Sequence, residues 1–337
     1  MKKLLITSFI SLSLVLPLLT SAYYESPGPG DLSSNIYPKN PGINQKTTIS
    51  LHSYIFKLDT CEISWLQDNK QIAMGVGQKS LSFTTGKLGQ TISISVNLNC
   101  PNQDTLTKNW LFQTNDIEFL VAADTYTPPF YKGNSRVSAN SNVKIIAMPQ
   151  VFNSTGELTK PESLIYNWTK NGKAMPVSSG YGKNTISVVA NKLPGSTAYA
   201  VEISSPTGEI KTNKSLTITA ENPQVILYEN KPLLGLQYQK GLNNLFNLTQ
   251  NETMVVAEPF FFPNTDLANG NLTFSWSMNG KQIDPSTDGR SVTLRQNVGQ
   301  TGKAMISMQI SNSTNLFSGA QQTLTINFGQ ETTSLGF

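Results

Sequence analysis

A tryptophan followed by a tight turn occurs three times in this chain, and that repeat constrains the fold more than any other feature. The copies read W-L-Q-D-N-K from Trp65, W-T-K-N-G-K from Trp168 and W-S-M-N-G-K from Trp276. Each Trp ends a run in which alternate residues are apolar, and three positions later comes Asp-Asn or Asn-Gly, then Lys. These pairs tolerate the positive φ that a two-residue type I′ turn demands, so each copy predicts a β-hairpin with a buried Trp on its first strand. Trp65, Trp168 and Trp276 are expected as core residues on this account. Their spacings of 103 and 108 residues are close to the roughly 100 residues of a two-sheet β-sandwich. Three tandem modules follow.

Export is the next constraint. Lys2 and Lys3 precede an apolar stretch from Leu4 to Leu19, and Thr20-Ser21-Ala22 closes it. Charged, apolar and small-residue segments in that order predict a secretory signal over residues 1–22, cleaved after Ala22. The apolar run is broken by serines and Pro17 and falls short of the roughly 20 residues that a bilayer span needs. No later stretch is long and apolar enough to span, so no transmembrane segment is expected after cleavage. The mature chain is expected in the periplasm, at the cell surface or outside the cell. Composition agrees: charged residues are 14 %, against roughly 25 % in typical soluble proteins. The formal charge of +4 falls by two when Lys2 and Lys3 leave, which gives no field that implies nucleic acid.

From Tyr23 to Gly42 the chain is rich in Pro and Gly, which suits an extended leader and a first edge strand. The first module then runs through short strands at 48–51, 61–65, 80–83, 92–100 and 108–113. Cys61, Ile63 and Trp65 share one face by alternation, as do Ile92, Ile94, Val96, Leu98 and Cys100. Both cysteines point inward, and they are the only two in the chain. In an exported protein one such pair most simply forms one disulfide. If the two strands are antiparallel neighbours, Cys61 and Cys100 face each other, and closing the 39-residue separation stabilises the module by about 3–4 kcal/mol on the chain-entropy estimate. A metal or redox site is the rival reading; it lacks C-x-x-C spacing and has a single distant histidine.

The other modules repeat the pattern without cysteines. Leu164-x-Tyr166-x-Trp168 and Leu272-x-Phe274-x-Trp276 copy the Trp strand, with Leu where the first module has Cys61. The preceding strand recurs as Ile145-Ile146-Ala147-x-Pro149 and Val255-Val256-Ala257-x-Pro259. Asp116–Val121 leads into Pro129-Phe130-Tyr131-x-Gly133, and Pro223–Tyr228 leads into Pro232-Leu233-Leu234-Gly235. Neither connection is Gly/Ser-rich, so both read as stiff junctions and the chain as a rod of modules. Helical periodicity is nowhere sustained.

W-x-x-[DN]-[NG]-K after an alternating strand, with further strands behind it, resembles the C–C′ region of immunoglobulin-like and PKD-like modules. The chain resembles tandem Ig-like/PKD-like surface proteins of bacteria over essentially all of its mature length. The resemblance implies an all-β fold of three tandem immunoglobulin-like sandwiches over residues 23–114, 115–221 and 222–330. It implies no catalytic residues. The sequence departs from the antibody pattern in the positions of its cysteines, and no PKD-type G-D-G follows any Trp.

Few residues in the sequence point to chemistry. The only histidine, His52, sits on a predicted strand, and no G-x-S-x-G elbow accompanies it. The G-x-G pairs at Gly75/Gly77 and Gly180/Gly182 lack the third Gly and the following helix of a phosphate loop, so they read as turn glycines. Glu62, Asp124, Glu157, Glu229 and Glu258 are scattered over separate modules. Asn115-Asp116-x-Glu118 supplies fewer oxygens than the six to eight that calcium takes. No catalytic residue, metal or cofactor is expected. Seven N-x-[ST] sequons, at Asn153, Asn167, Asn213, Asn247, Asn251, Asn271 and Asn312, carry meaning only in a glycosylating host. Aromatics are the remaining candidates: Tyr126, Phe130 and Tyr131 at the first junction, and Phe260, Phe261 and Phe262 in the third module. Three consecutive Phe on an alternating strand cannot all face one core. They are either packed against a neighbouring module or exposed as a ligand platform.

The expected protein is a non-enzymatic exported structural or adhesive component of the cell envelope or surface. A carbohydrate-binding protein using exposed aromatics is the alternative, and the partner in either case is a protein or glycan at the cell surface. Intact mass of the exported chain should correspond to a polypeptide beginning at Tyr23; a mass that retains residues 1–22 would remove the cleavage assignment.

Overall fold

The computed structural model describes residues 31–329 apart from 56, 154, 297, 298 and 300. The expected signal sequence, residues 1–22, lies outside them. The described residues are nearly all β, built as three tandem immunoglobulin-like sandwiches. The first contains β1 (Leu32–Tyr37), β2 (Lys46–Ser53), β3 (Glu62–Gln67), β4 (Lys70–Val76), β5 (Ser80–Thr84), β6 (Thr91–Asn99) and β7 (Leu106–Gln113). The second contains β8 (Asp116–Asp124), β9 (Asn142–Gln150), β10 (Ile165–Lys170), β11 (Lys173–Ala174), β12 (Gly180–Tyr181), β13 (Thr185–Val189), β14 (Gly195–Ser204) and β15 (Lys211–Ala220). The third contains β16 (Gln224–Lys231), β17 (Gly235–Leu236), β18 (Leu245–Leu248), β19 (Glu252–Phe260), the short helix α1 (Asn264–Ala268), β20 (Leu272–Met278), β21 (Lys281–Ile283), β22 (Ser291–Arg295), β23 (Gly302–Asn312) and β24 (Ala320–Phe328).

Sheet order repeats. The first sandwich pairs β1-β2-β5 in one sheet and β4-β3-β6-β7 in the other; the second pairs β13-β9-β8 and β11-β10-β14-β15, with β12 also on β10. The third pairs β17-β16-β19-β22 and β18-β24-β23-β20-β21. In all three the strand after the Trp hairpin turn stays beside the Trp strand, an A-B-E and C′-C-F-G arrangement. It differs from the antibody constant domain, in which a fourth strand joins A, B and E. Packing divides the described residues into two compact units. One comprises residues 31–39, Thr47–Phe83 and Ile92–Leu111; the other comprises Asn40–Lys46, Thr84–Thr91 and residues 112–329, and so holds the second and third sandwiches together.

The core follows from strand parity. Cys61, Ile63 and Trp65 are buried on β3 and its leading edge, opposite Ile94, Val96 and Leu98 of β6. Leu164, Tyr166 and Trp168 join Ile117, Ile145, Ala147, Tyr199, Val201 and Ile203 in the second core. Trp276 joins Val225, Leu227, Val255, Ala257, Ile306, Met308 and Ile310 in the third. All three Trp are almost completely buried, and each ring carries an N–H that must be satisfied there. Trp65 Nε1 donates to the Gln78 carbonyl, Trp168 Nε1 to that of Lys183 and Trp276 Nε1 to that of Gly289, each at 2.9 Å. In the first two sandwiches the acceptor follows the G-x-G pair directly. Gly77 and Gly182 have φ of +72° and +67° and donate their own N–H to the carbonyls of Cys61 and Leu164. The glycine turns therefore brace both ends of the Trp strand. Tyr166 sits on the same face; its hydroxyl donates to the Pro161 carbonyl at 2.9 Å, and burial pushes its pKa up to about 12.

The hairpin turns are of the expected mirror-image kind. Asp68 and Asn69 have φ of +49° and +65°, Asn171 and Gly172 +48° and +75°, and Asn279 and Gly280 +48° and +83°. The first turn residue does more than tolerate that φ. Asp68, Asn171 and Asn279 each donate a backbone N–H to a carbonyl on the neighbouring strand and accept the N–H of that same residue on Oδ1, with Ser93, Ala198 and Met305 as partners at 2.7–2.9 Å.

The disulfide Cys61–Cys100 is formed, one residue beyond the Glu62↔Asn99 pair that ends the β3–β6 ladder. The equivalent end of the third sandwich, where Leu272 pairs with Asn312, uses hydrogen bonds. The amides of Asn271 and Asn312 donate to the buried Asp266 carboxylate at 3.1 and 2.7 Å, which ties α1 to the end of β23.

Trp168→Phe should keep most of the buried area yet cost about 1–3 kcal/mol, because the Lys183 carbonyl is left unpaired. Trp168→Ala should cost roughly 3–5 kcal/mol. Denaturant melts of the two variants check the order, and an unchanged melt for Trp168→Phe would show that the indole bond contributes nothing.

Candidate functional site

Four of the six aromatic candidates, Phe130, Tyr131, Phe260 and Phe261, converge on one place, and it is not the first junction. Phe130 and Tyr131 lie in the long connection between β8 and β9, inside the second sandwich, because β8 pairs with β9 along its whole length and must reach the far pole before turning. There they meet the third sandwich within one compact unit. Tyr228, Phe260 and Phe261 form a buried cluster with Phe130, Tyr131, Ile226 and Leu236 packed on it. Phe130 lies edge-on to Tyr228 at 5.5 Å between ring centres and stacks on Tyr238 at 5.1 Å. Tyr131 lies edge-on to Phe260 and Phe261 at 5.7 and 5.6 Å. These are the offset and edge-to-face geometries that aromatic quadrupoles favour.

Backbone bonds run through the same joint. Tyr126 N–H donates to the Phe262 carbonyl at 2.8 Å, and Phe261 N–H donates to the Tyr126 carbonyl at 2.7 Å. Thr125 and Pro263 form an isolated antiparallel bridge, and Asn264 Nδ2 donates to Asp124 Oδ1 at 2.7 Å. Arg136 lies 5.4 Å over the Phe261 ring and pairs with Glu221 at 3.0 Å.

Phe260, Phe261 and Phe262 are all buried, with neighbouring Phe260 and Phe261 turned to the same side. The reason is local. Phe261 has φ +63°, a left-handed conformation that is an outlier for a bulky residue and costs of order 1–3 kcal/mol unless its surroundings enforce it. That one dihedral interrupts the pleat. Phe260 and Phe261 both turn to the joint, and Phe262 enters the core of the third sandwich. The three rings present no platform to solvent, which corrects the ligand-facing expectation for them. Tyr126, Phe130 and Tyr131 are half-buried in the same joint.

The other sequence candidates are held by ordinary contacts. His52 is exposed on β2, with Nε2 3.3 Å from Asn35 Nδ2. Asp116 pairs with Lys214 at 2.8 Å, and Asn115 Oδ1 accepts the Phe152 N–H at 3.0 Å, so two of the oxygens weighed for calcium are engaged within the chain. Glu258 lies on β19, and burial raises its pKa above the ordinary glutamate value, with the Arg290 charge working against that shift. Among the described residues no group of three or more His, Cys, Asp or Glu is placed to hold a metal ion. No helix among them is long and apolar enough to cross a membrane. The buried Asp266 gave no signal in the sequence, since its partners lie 5 and 46 residues away.

No family model matches the sequence, and no curated protein does. Solved structures similar to the chain include tandem immunoglobulin domains and fibronectin(III)-like modules. They include the three N-terminal domains of the bacteriophage RB49 highly immunogenic outer capsid protein, at 12 % identity over 88 % of this chain and 98 % of that one, with a TM-score of 0.25. Insect hemolin is similar at 11 % identity over 86 % and 97 %, with a TM-score of 0.23. A Bacteroides ovatus glucan-utilisation protein, SGBP-B, is similar at 11 % identity over 85 % and 64 %, with a TM-score of 0.23.

Removing the two rings contributed by the β8–β9 connection should uncouple the second sandwich from the third. Each aromatic pair is worth roughly 0.5–1.5 kcal/mol beyond its buried area. Calorimetry of Phe130→Ala/Tyr131→Ala should resolve two transitions where the parent chain shows one for this unit; a single unshifted transition would show that the joint carries no coupling.

Proposed function

We propose that the chain is a non-enzymatic, exported structural or adhesive protein of the cell envelope or surface, of the kind its sequence resembles among bacteria. It is read as a signal sequence over residues 1–22 followed by modules over 23–114, 115–221 and 222–330. The observation that carries this reading is the aromatic joint between the second and third sandwiches. Phe130, Tyr131, Tyr228, Phe260 and Phe261 are used to fasten one sandwich to another, a use suited to a load-bearing or spacing role. A chain that only needed to tether independent binding modules would be served by a flexible linker.

Two further observations support it. The Cys61–Cys100 disulfide closes the only cysteine pair in the chain, as expected of an oxidising compartment. The residues weighed for catalysis or calcium, His52, Asp116 and Asn115, are partnered by Asn35, Lys214 and Phe152. The glycan alternative would need rings other than Phe260, Phe261 and Phe262, which are buried. The surface partner is a protein or a glycan.

Fractionation of cells that make the protein tests the reading. The chain should be recovered with the envelope or outside the cell, and external protease should digest it in intact cells. Recovery in the cytosol, with protection from external protease, would overturn the assignment.

A further inference from the structure

The strand register makes positions in the three sandwiches equivalent residue by residue. Leu51, Ala147 and Ala257 occupy one position, since their N–H groups donate to the carbonyls of Lys79, Asn184 and Arg290, just before the E strands, at 2.9, 2.8 and 2.8 Å. Two residues further on stand Ser53, Pro149 and Pro259, paired with the buried Leu32, Ile117 and Val225 of the first strands. The next two residues are therefore equivalent as well. They are Tyr54-Ile55 in the first sandwich, Gln150-Val151 in the second and Phe260-Phe261 in the third.

In the third sandwich those positions form a socket. Phe260 and Phe261 receive Phe130 and Tyr131, carried on the connection that follows the first strand of the preceding sandwich. In the first sandwich the socket positions are open: Tyr54 is fully exposed and Ile55 is 55 % exposed. The plug also recurs. Pro129-Phe130-Tyr131-x-Gly133, which begins five residues after β8 ends, is matched in the third sandwich by Pro232-Leu233-Leu234-Gly235, the tip of the β16–β17 hairpin at the end of the first strand, with Leu233 97 % and Leu234 72 % exposed. One chain thus carries an unfilled socket and an unseated plug of a joint that it makes internally.

We propose that the two surfaces join copies of this chain head to tail, with Leu233 and Leu234 of one copy seated on Tyr54 and Ile55 of the next. Plug and socket are different surfaces, so the contact is heterologous and extends into open chains or closes into rings. Four apolar side chains make a contact well below the size of a stable interface, so association is weak and concentration-dependent. The inference does not depend on where the protein resides and is tested in solution.

Sedimentation velocity on the full exported chain should show a mean sedimentation coefficient that rises with concentration. Leu233→Asp/Leu234→Asp and Tyr54→Ser/Ile55→Asp should each weaken association by at least about tenfold. An equimolar mixture of the two variants retains one intact plug and one intact socket, and should form dimers and nothing larger. A wild-type chain that stays monomeric, variants that associate like the parent, or a mixture that fails to dimerise would each overturn the proposal. A large fall in melting temperature for the Leu233 variant would also overturn it, by showing that the loop is covered within its own chain.

Discussion

An indole buried in a sandwich core brings one N–H that water can no longer reach, and each sandwich of this protein is arranged around supplying its acceptor. The carbonyls of Gln78, Lys183 and Gly289 meet the three Trp at one distance, 2.9 Å. To present them, the chain between the hairpin and the following strand must pass close above the ring, and Gly77 and Gly182 adopt left-handed φ to let it. The turn residue at the other end of the Trp strand is locked to the F strand by a reciprocal pair of bonds. Satisfying one donor thus fixes both ends of a strand and the approach of the sheet that faces it.

The pole at which the Trp strand begins is closed by different chemistry in the first and third sandwiches. The first has a disulfide between Cys61 and Cys100. The third has Asn312 at the position of Cys100, with its amide on the buried Asp266 carboxylate. A covalent closure acts largely on the unfolded chain and holds only in an oxidising compartment. The hydrogen-bonded closure acts in the folded state and depends on every member being paired. The same backbone need is met by two means of different dependence on environment.

Much of this was legible in the sequence because it is local or periodic. Asp-Asn and Asn-Gly announced their turns, alternation placed Trp65, Trp168 and Trp276 inward, and the parity of Cys61 and Cys100 set them facing. What escaped was non-local or broke periodicity. The indole acceptors lie 13 to 15 residues beyond each Trp, and G-x-G as a string shows a turn without showing what the next carbonyl is for. The run Phe260-Phe261-Phe262 leaves packing against a neighbouring module and a ligand platform both open, because the alternation rule assumes an unbroken pleat, and Phe261 breaks it at φ +63°. Phe130 and Tyr131 were legible as junction residues but assigned to the wrong joint, since the sequence does not reveal that β8 runs the length of its sandwich before they occur.

The third sandwich differs from the others in one topological detail. Its first strand β16 stays with β19, β17 folds back antiparallel on the outer edge of β16, and β18 joins the opposite sheet and runs parallel to the last strand β24, from Leu245↔Thr325 to Leu248↔Phe328. When a tensile force draws the two ends of such a domain apart, neighbouring strands that point the same way are loaded in shear. The bonds of the β18–β24 ladder then share the load together, whereas an antiparallel hairpin pulled from its open end gives way one bond at a time. Mechanical resistance in this sandwich is set by the direction in which a four-residue strand happens to run.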